Sequence, residues 1–87
     1  MRAIYSTRFR RDTKRLMRRG KRMDKMARIV NRLLETGAAP SEYRLHRLSG
    51  DMAGYWECHI EPDWLLVYKV DDDAVLFART GTHSDIF

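Results

Sequence analysis

A chain of 87 residues has room for one domain and one modest core, since chains this short bury only about 60% of the surface they expose when unfolded. Hydrophobic residues at 44% and charged residues at 33% give the balance of a folded globular protein and exclude a disordered tail. Lys plus Arg number 17 against 12 Asp plus Glu, a formal charge of +5 that biases the chain toward polyanionic partners. Thirteen of these cations lie between Arg2 and Arg32, with only two Asp among them. One end is therefore cationic, either as a docking surface or as a pair of solvated helix faces. Cys58 is the single cysteine and can form no internal disulfide. No apolar N-terminal run resembles a signal peptide or a membrane span, so the expected compartment is the cytoplasm.

Arg2-Ala3-Ile4-Tyr5 is short and partly β-branched and reads as a strand, after which Ser6 or Thr7 can cap a helix. From Thr7 to about Arg19, Phe9, Thr13, Leu16 and Met17 fall at helical spacing, with Arg and Lys between them, until Gly20 ends the segment. Met23, Met26, Ala27, Val30, Leu33 and Leu34 form a second helical stripe that stops at Gly37 and Pro40. The tight Arg19-Gly20-Lys21 connection makes the two a hairpin whose apolar stripes need a sheet to cover.

From Tyr55 to Glu61 the residues alternate, with Trp56, Cys58 and Ile60 on one face and Tyr55, Glu57, His59 and Glu61 on the other. Pro62-Asp63 breaks the pattern, and Trp64 to Val70 follows as a nearly continuous apolar, central strand. After the turn at Asp71-Asp72-Asp73, Ala74 to Thr80 is the last strand, and straight alternation puts Val75, Phe77 and Arg79 on one face. Gly81 to Phe87 is a short tail. The order β-α-α-β-β-β predicts an α+β fold. An N-terminal strand and a helical hairpin pack on one face of a twisted, mainly antiparallel sheet, and the other face stays open, all within one domain spanning 1–87.

His46, His59 and His83 all fall in the second half, as does Asp63. Alternation places His59 and Glu57 on the open face, while Cys58 points into the core and cannot join them as a metal ligand. There is no CxxC and no HExxH, so neither a metal nor a cofactor is expected. Cleaving RNA without metal requires a base for the 2′-OH proton, an acid for the leaving oxygen, and positive charge on the phosphorane between them. Imidazoles and guanidinium groups supply all three. The plainer alternative is that the three histidines are ordinary surface or turn residues. Arg79 is either a phosphate clamp or a simple surface arginine, and Phe87 either stacks on an unpaired base or plugs the sheet edge.

The segment Gly54-Tyr55-Trp56-Glu57-Cys58-His59-Ile60-Glu61-Pro62-Asp63-Trp64 through Lys69 resembles the YafQ branch of the RelE/ParE-superfamily toxins. So do His46-Arg47-Leu48-Ser49-Gly50 upstream and Arg79-Thr80-Gly81-Thr82-His83-Ser84-Asp85-Ile86-Phe87 downstream. The resemblance implies a ribosome-dependent mRNA endoribonuclease that cuts the message in the ribosomal A site and is silenced by a cognate antitoxin. It implies a monomer when free and a hetero-oligomer with the antitoxin, with no membrane involved. The implied catalytic set is His46, His59, Asp63, His83 and Phe87, with Arg79 as a phosphate-stabilising charge. Glu57 stands where the branch often has Asp.

In that scheme His59 or His46 takes the 2′-OH proton and His83 donates to the departing 5′-oxygen. Asp63 orients an imidazole or favours its charged form, and the product is a 2′,3′-cyclic phosphate. Arg8, Arg10, Arg11, Lys14, Arg15, Arg18, Lys21 and Arg22 are the expected ribosome-docking cations. A ParE-like poison of DNA gyrase with no nuclease site is the competing reading, against which the histidine trio argues. A plain RNA-binding module ranks last, because the aromatic motifs of common RNA-binding folds are missing.

Overall fold

The second half of the chain builds a sheet on which the first half lies. The computed structural model describes all 87 residues. In chain order the elements are β1 (Arg2–Tyr5), α1 (Thr7–Arg18), α2 (Met23–Thr36), β2 (His46–Arg47), β3 (Trp56–Glu61), β4 (Trp64–Val70), β5 (Ala74–Gly81) and α3 (His83–Ile86). Short 3-10 turns at Ser41–Tyr43 and Gly50–Met52 flank β2. The strands lie in the order β1-β5-β4-β3-β2, with β1 parallel to β5 and the other pairings antiparallel.

Ser6 fixes the junction between β1 and α1. Its hydroxyl accepts from the Phe9 N–H at 2.9 Å and donates to the Ala78 carbonyl at 2.7 Å, capping α1 and pinning its start to β5. At its far end α2 stops at Gly37, whose φ of 73° suits glycine and returns its N–H to the Leu33 carbonyl. The core joins Phe9 and Leu16 of α1, Ile29 and Leu33 of α2, Trp64, Leu66 and Tyr68 of β4, and Val75 and Phe77 of β5. Tyr5, Phe9 and Phe77 stack with centroids 5.4 to 5.7 Å apart. Each such pair contributes about 0.5–1.5 kcal/mol beyond the area it buries.

Five expectations change. His46–Arg47 add a strand, β2, and the tail adds a helix, α3, so the expected order β-α-α-β-β-β becomes β-α-α-β-β-β-β-α. On α1, Met17 is exposed and Asp12 takes its place on the buried stripe, at i+3 from Phe9 and four residues before Leu16. On β5, Val67 pairs with Arg79 but Tyr68 pairs with Phe77, so Ala78 is an extra, bulged residue and the parity reverses there. Arg79 therefore lies opposite Phe77, while Thr80 turns to the helices, accepting from the Trp64 indole at 3.0 Å and donating to the Leu65 carbonyl at 2.8 Å. Lastly, the face expected to be open carries Leu65 and Val67, both fully buried. The ordered tail, now α3, packs on β5, and it borders a cleft with Asp51 and Met52 of the Gly50–Met52 turn beside Ala78 and Arg79.

Candidate active site

Register across three strands gathers the first imidazoles. Glu57 of β3 pairs with His46 of β2 and with Val67 of β4, and His59 pairs with Leu65. Directly paired side chains share a face, so His46, Glu57 and His59 lie together on the side away from α1 and α2. His83, the first residue of α3, supplies the third ring. The His46 and His59 centroids are 5.7 Å apart, edge to face, and His83 lies 5.9 Å from His59, which is thus the middle ring.

Two of the rings are held through Nδ1. That of His59 sits 3.2 Å from the Arg44 carbonyl, which can only accept; Nδ1 therefore carries the proton, and the neutral ring keeps a lone pair on Nε2. Arg44 is the one non-glycine residue with positive φ, at 51°, a conformation sparsely used by L-residues and found here where the backbone delivers that carbonyl. His83 is held by Asp63, whose Oδ1 accepts from the His83 backbone N–H at 3.0 Å and lies 2.6 Å from the ring Nδ1. Those bonds, the backbone one foremost, keep the Asp63 carboxyl below the ordinary carboxylate range. Asp63 thus serves His83 rather than His59.

Glu57 is nearly buried, with Oε2 4.0 Å from His59 Nε2. His46, Glu57 and His59 each offer a donor atom within 4.8 Å of the others, a spacing that one zinc or copper ion could bridge with a position left open. Strand parity does remove Cys58, which is buried and whose thiol burial pushes up to about 12. It does not reveal the cross-strand histidine, so the sequence suggested no ligand cluster where the fold assembles a possible one.

The segment carrying His83 is clamped. Thr82 and Asp85 form a reciprocal cap, the Asp85 N–H donating to Thr82 Oγ1 at 3.1 Å and the Thr82 N–H to Asp85 Oδ2 at 3.0 Å. Gly81, at φ 153°, allows the approach, because a Cβ there would meet Asp85 Oδ2 at 2.8 Å. Arg19 donates to both carboxylate oxygens at 2.7 and 3.1 Å and, with the Thr82 N–H, holds the Asp85 carboxyl far below its usual range. Neither Asp85 nor Arg19 was among the expected site residues, although Thr82-x-x-Asp85 is a legible capping signature.

Arg79 is committed elsewhere than a free clamp would be. Its Nε and Nη2 donate to Asp12 at 2.8 and 3.2 Å, and Nη2 also donates to the Asp85 carbonyl at 3.1 Å. Three of its five N–H groups are thereby taken. Asp12 further accepts the Thr80 N–H at 3.1 Å, so this buried carboxylate joins α1, β5 and, through Arg79, α3. Phe87 is well exposed and walls a cleft of about 440 Å³ with Arg8, Asp51, Met52, Tyr55 and Ile86, at the end of α3 away from His83. Of the expected docking cations, Arg8, Arg10, Arg11, Lys14 and Arg18 are exposed and make no ion pair. Arg15 pairs with Asp12 and Asp85, Lys21 with Glu61, and Arg22 with Asp24. No helix is long and apolar enough to cross a membrane.

A basic helical layer on a five-stranded mixed sheet, with a C-terminal turn returning to the sheet, defines a class: the small toxins of bacterial toxin–antitoxin systems. The family model described as "Bacterial toxin of type II toxin-antitoxin system, YafQ" matches residues 1–87, and the chain belongs to this YafQ family. It is 39% identical over 84 residues, covering 95% of this chain and 91% of the relative, to the mRNA interferase toxin YafQ of Escherichia coli strain K12. It superposes on the toxin in a crystal structure of the E. coli DinJ-YafQ complex with a TM-score of 0.91 at 37% identity, covering 100% of this chain and 99% of that one. A metal-bound toxin from Helicobacter pylori gives a TM-score of 0.90 at 29% identity, with the same coverage.

Proposed function

We propose that residues 1–87 form a single toxin domain that cleaves messenger RNA on the ribosome in the cytoplasm and is neutralised by a cognate antitoxin. The observation that carries this is the row His46–His59–His83, with the Nδ1 atoms of the last two rings held by acceptors so that their Nε2 atoms are left for substrate. The names and partners of the E. coli relatives support the substrate and the antitoxin.

His59 Nε2 accepts the proton of a 2′-OH, the oxygen attacks the adjacent phosphorus, and Glu57 stabilises the imidazolium that forms. The phosphorus–O5′ bond then breaks, and Nε2–H of a protonated His83, held by Asp63, gives its proton to the leaving oxygen. The product is a 2′,3′-cyclic phosphate and a 5′-hydroxyl. His46, edge-on to His59, contributes positive charge at the phosphorane, as does the remaining Nη1 of Arg79, and Phe87 stacks on an unpaired base. The exposed cations of α1 dock the protein on ribosomal RNA, and reversing Arg11, Lys14 or Arg18 weakens ribosome binding most at low salt. Induced expression tests the whole: growth stops with cut messages, co-expressed antitoxin rescues it, and His83→Ala abolishes it while the protein stays bound to ribosomes. Growth arrest by His83→Ala at the wild-type level refutes the site.

A further inference from the structure

The cleft at the far end of α3 is not explained by proton transfer. Its body is apolar and aromatic, with Met52, Tyr55, Ile86 and Phe87 on its walls, and its charged groups are Arg8, Asp51 and the largely committed Arg79. Asp51 is exposed and has no ion-pair partner, and neither has Arg8. Apolar walls with a few converging polar groups are the make-up of a small-ligand site. α3 links this cleft to the candidate acid: His83 begins the helix and Ile86 and Phe87 end it, about 6 Å further along at 1.5 Å per residue.

We propose that the cleft is a nucleobase subsite that receives the nucleotide on the 3′ side of the cut, and that Asp51 reads its base edge. The inference rests on the nuclease reading above. If His83 protonates the leaving 5′-oxygen, that oxygen belongs to the 3′ nucleotide, and α3 leads from it toward the cleft. Tyr55 and Phe87 offer rings for stacking, and the cation of Arg8 suits the next phosphate along. A carboxylate only accepts, so Asp51 favours a base with an exocyclic amino group over uracil.

The test uses the full-length protein and the four nucleoside 3′-monophosphates, followed by NMR at the Met52 methyl and the Ile86 methyls, together with cleavage of ribosome-bound messages that differ only at the nucleotide 3′ of the cut. Expected are shifts at both residues, tighter binding of the adenine, cytosine and guanine nucleotides than of the uracil one, and the same ranking in cleavage. Asp51→Asn, on the surface, narrows that ranking, and Tyr55→Ala lowers cutting at the favoured base about tenfold while circular dichroism shows the fold retained. Nucleotides that leave both residues unshifted overturn the proposal, as does an unchanged base ranking in Asp51→Asn, or an antitoxin peptide moving these resonances when nucleotides do not. Messages cut normally without nucleotide binding in the cleft sink the subsite alone; base-selective binding with no cleavage sinks the nuclease reading instead.

Discussion

Asp12→Ala is the substitution whose cost the structure defines best. The carboxylate is 2% exposed and accepts two bonds from Arg79 and one from the Thr80 N–H. Its removal leaves the half-buried Arg79 guanidinium without its carboxylate and the buried Thr80 N–H without an acceptor, which together cost about 3–5 kcal/mol. Small domains hold about 5–15 kcal/mol in all, so Asp12→Ala brings an 87-residue chain close to unfolding. With a urea dependence near 1 kcal/mol per molar, the midpoint, followed by the fluorescence of Trp56 and the buried Trp64, should fall by about 3 M or more. Asp12→Leu combined with Arg79→Met should recover the part of the loss due to the unpaired charge, while the orphaned Thr80 N–H keeps a remainder of about 1–3 kcal/mol. A shift under about 1 kcal/mol for Asp12→Ala, or additive losses in the double variant, would refute the role given to this pair. Cleavage by the folded double variant then reads what Arg79 adds to catalysis through its charge and its hold on α3 together.

Arg44→Gly should keep cleavage and the Nδ1–H form of His59 seen by nitrogen NMR. Arg44→Val, which resists positive φ at a cost of about 1–3 kcal/mol, should lower cleavage about tenfold and blur that signature, and equal behaviour of the two variants would count against the carbonyl. Asp85 and Glu61 titrate below their ordinary range in the fold, Asp85 chiefly through Arg19 and Glu61 through Lys21 and Lys25. Lowered folded values stabilise above the unfolded carboxylate range, near pH 4, and that stability is lost as pH falls through the folded values. The stability gap between wild type and Asp85→Asn should therefore be full at pH 7 and close on acidification, whereas a constant gap would contradict the ion pair. Zinc or copper ions should inhibit cleavage by occupying His46, Glu57 and His59, and a chelator that spares magnesium should reverse it. Calorimetric binding that survives Glu57→Gln together with His46→Ala would place the ion elsewhere.

Helical and strand periodicity made the architecture legible, because Phe9, Leu16, Met26, Val30 and Leu33 carry one period and Trp56 with Cys58 the other. Periodicity also misled at two positions. The Ala78 bulge reverses parity without any glycine or proline to announce it, and Asp12 reads as one more charge on a basic helix until Arg79 is seen across from it. β2 has two residues, too few for a pattern, so the meeting of His46 with Glu57 and His59 depends on pairing that local sequence does not encode. The coupling of Asp63 to His83 spans 20 residues and a strand pair. The histidines could be singled out by residue type and family likeness, but their Nδ1 partners, one a backbone carbonyl, needed the fold.

The most direct measurement mixes purified protein with ribosomes programmed with a defined message and maps both new ends of the RNA. A single cut in the A-site codon, with a 2′,3′-cyclic phosphate on one fragment and a 5′-hydroxyl on the other, absent with His59→Ala and His83→Ala, is the expected result. Intact message, a 5′-phosphate end, or undiminished cutting by either histidine variant would contradict acid–base cleavage by this imidazole row.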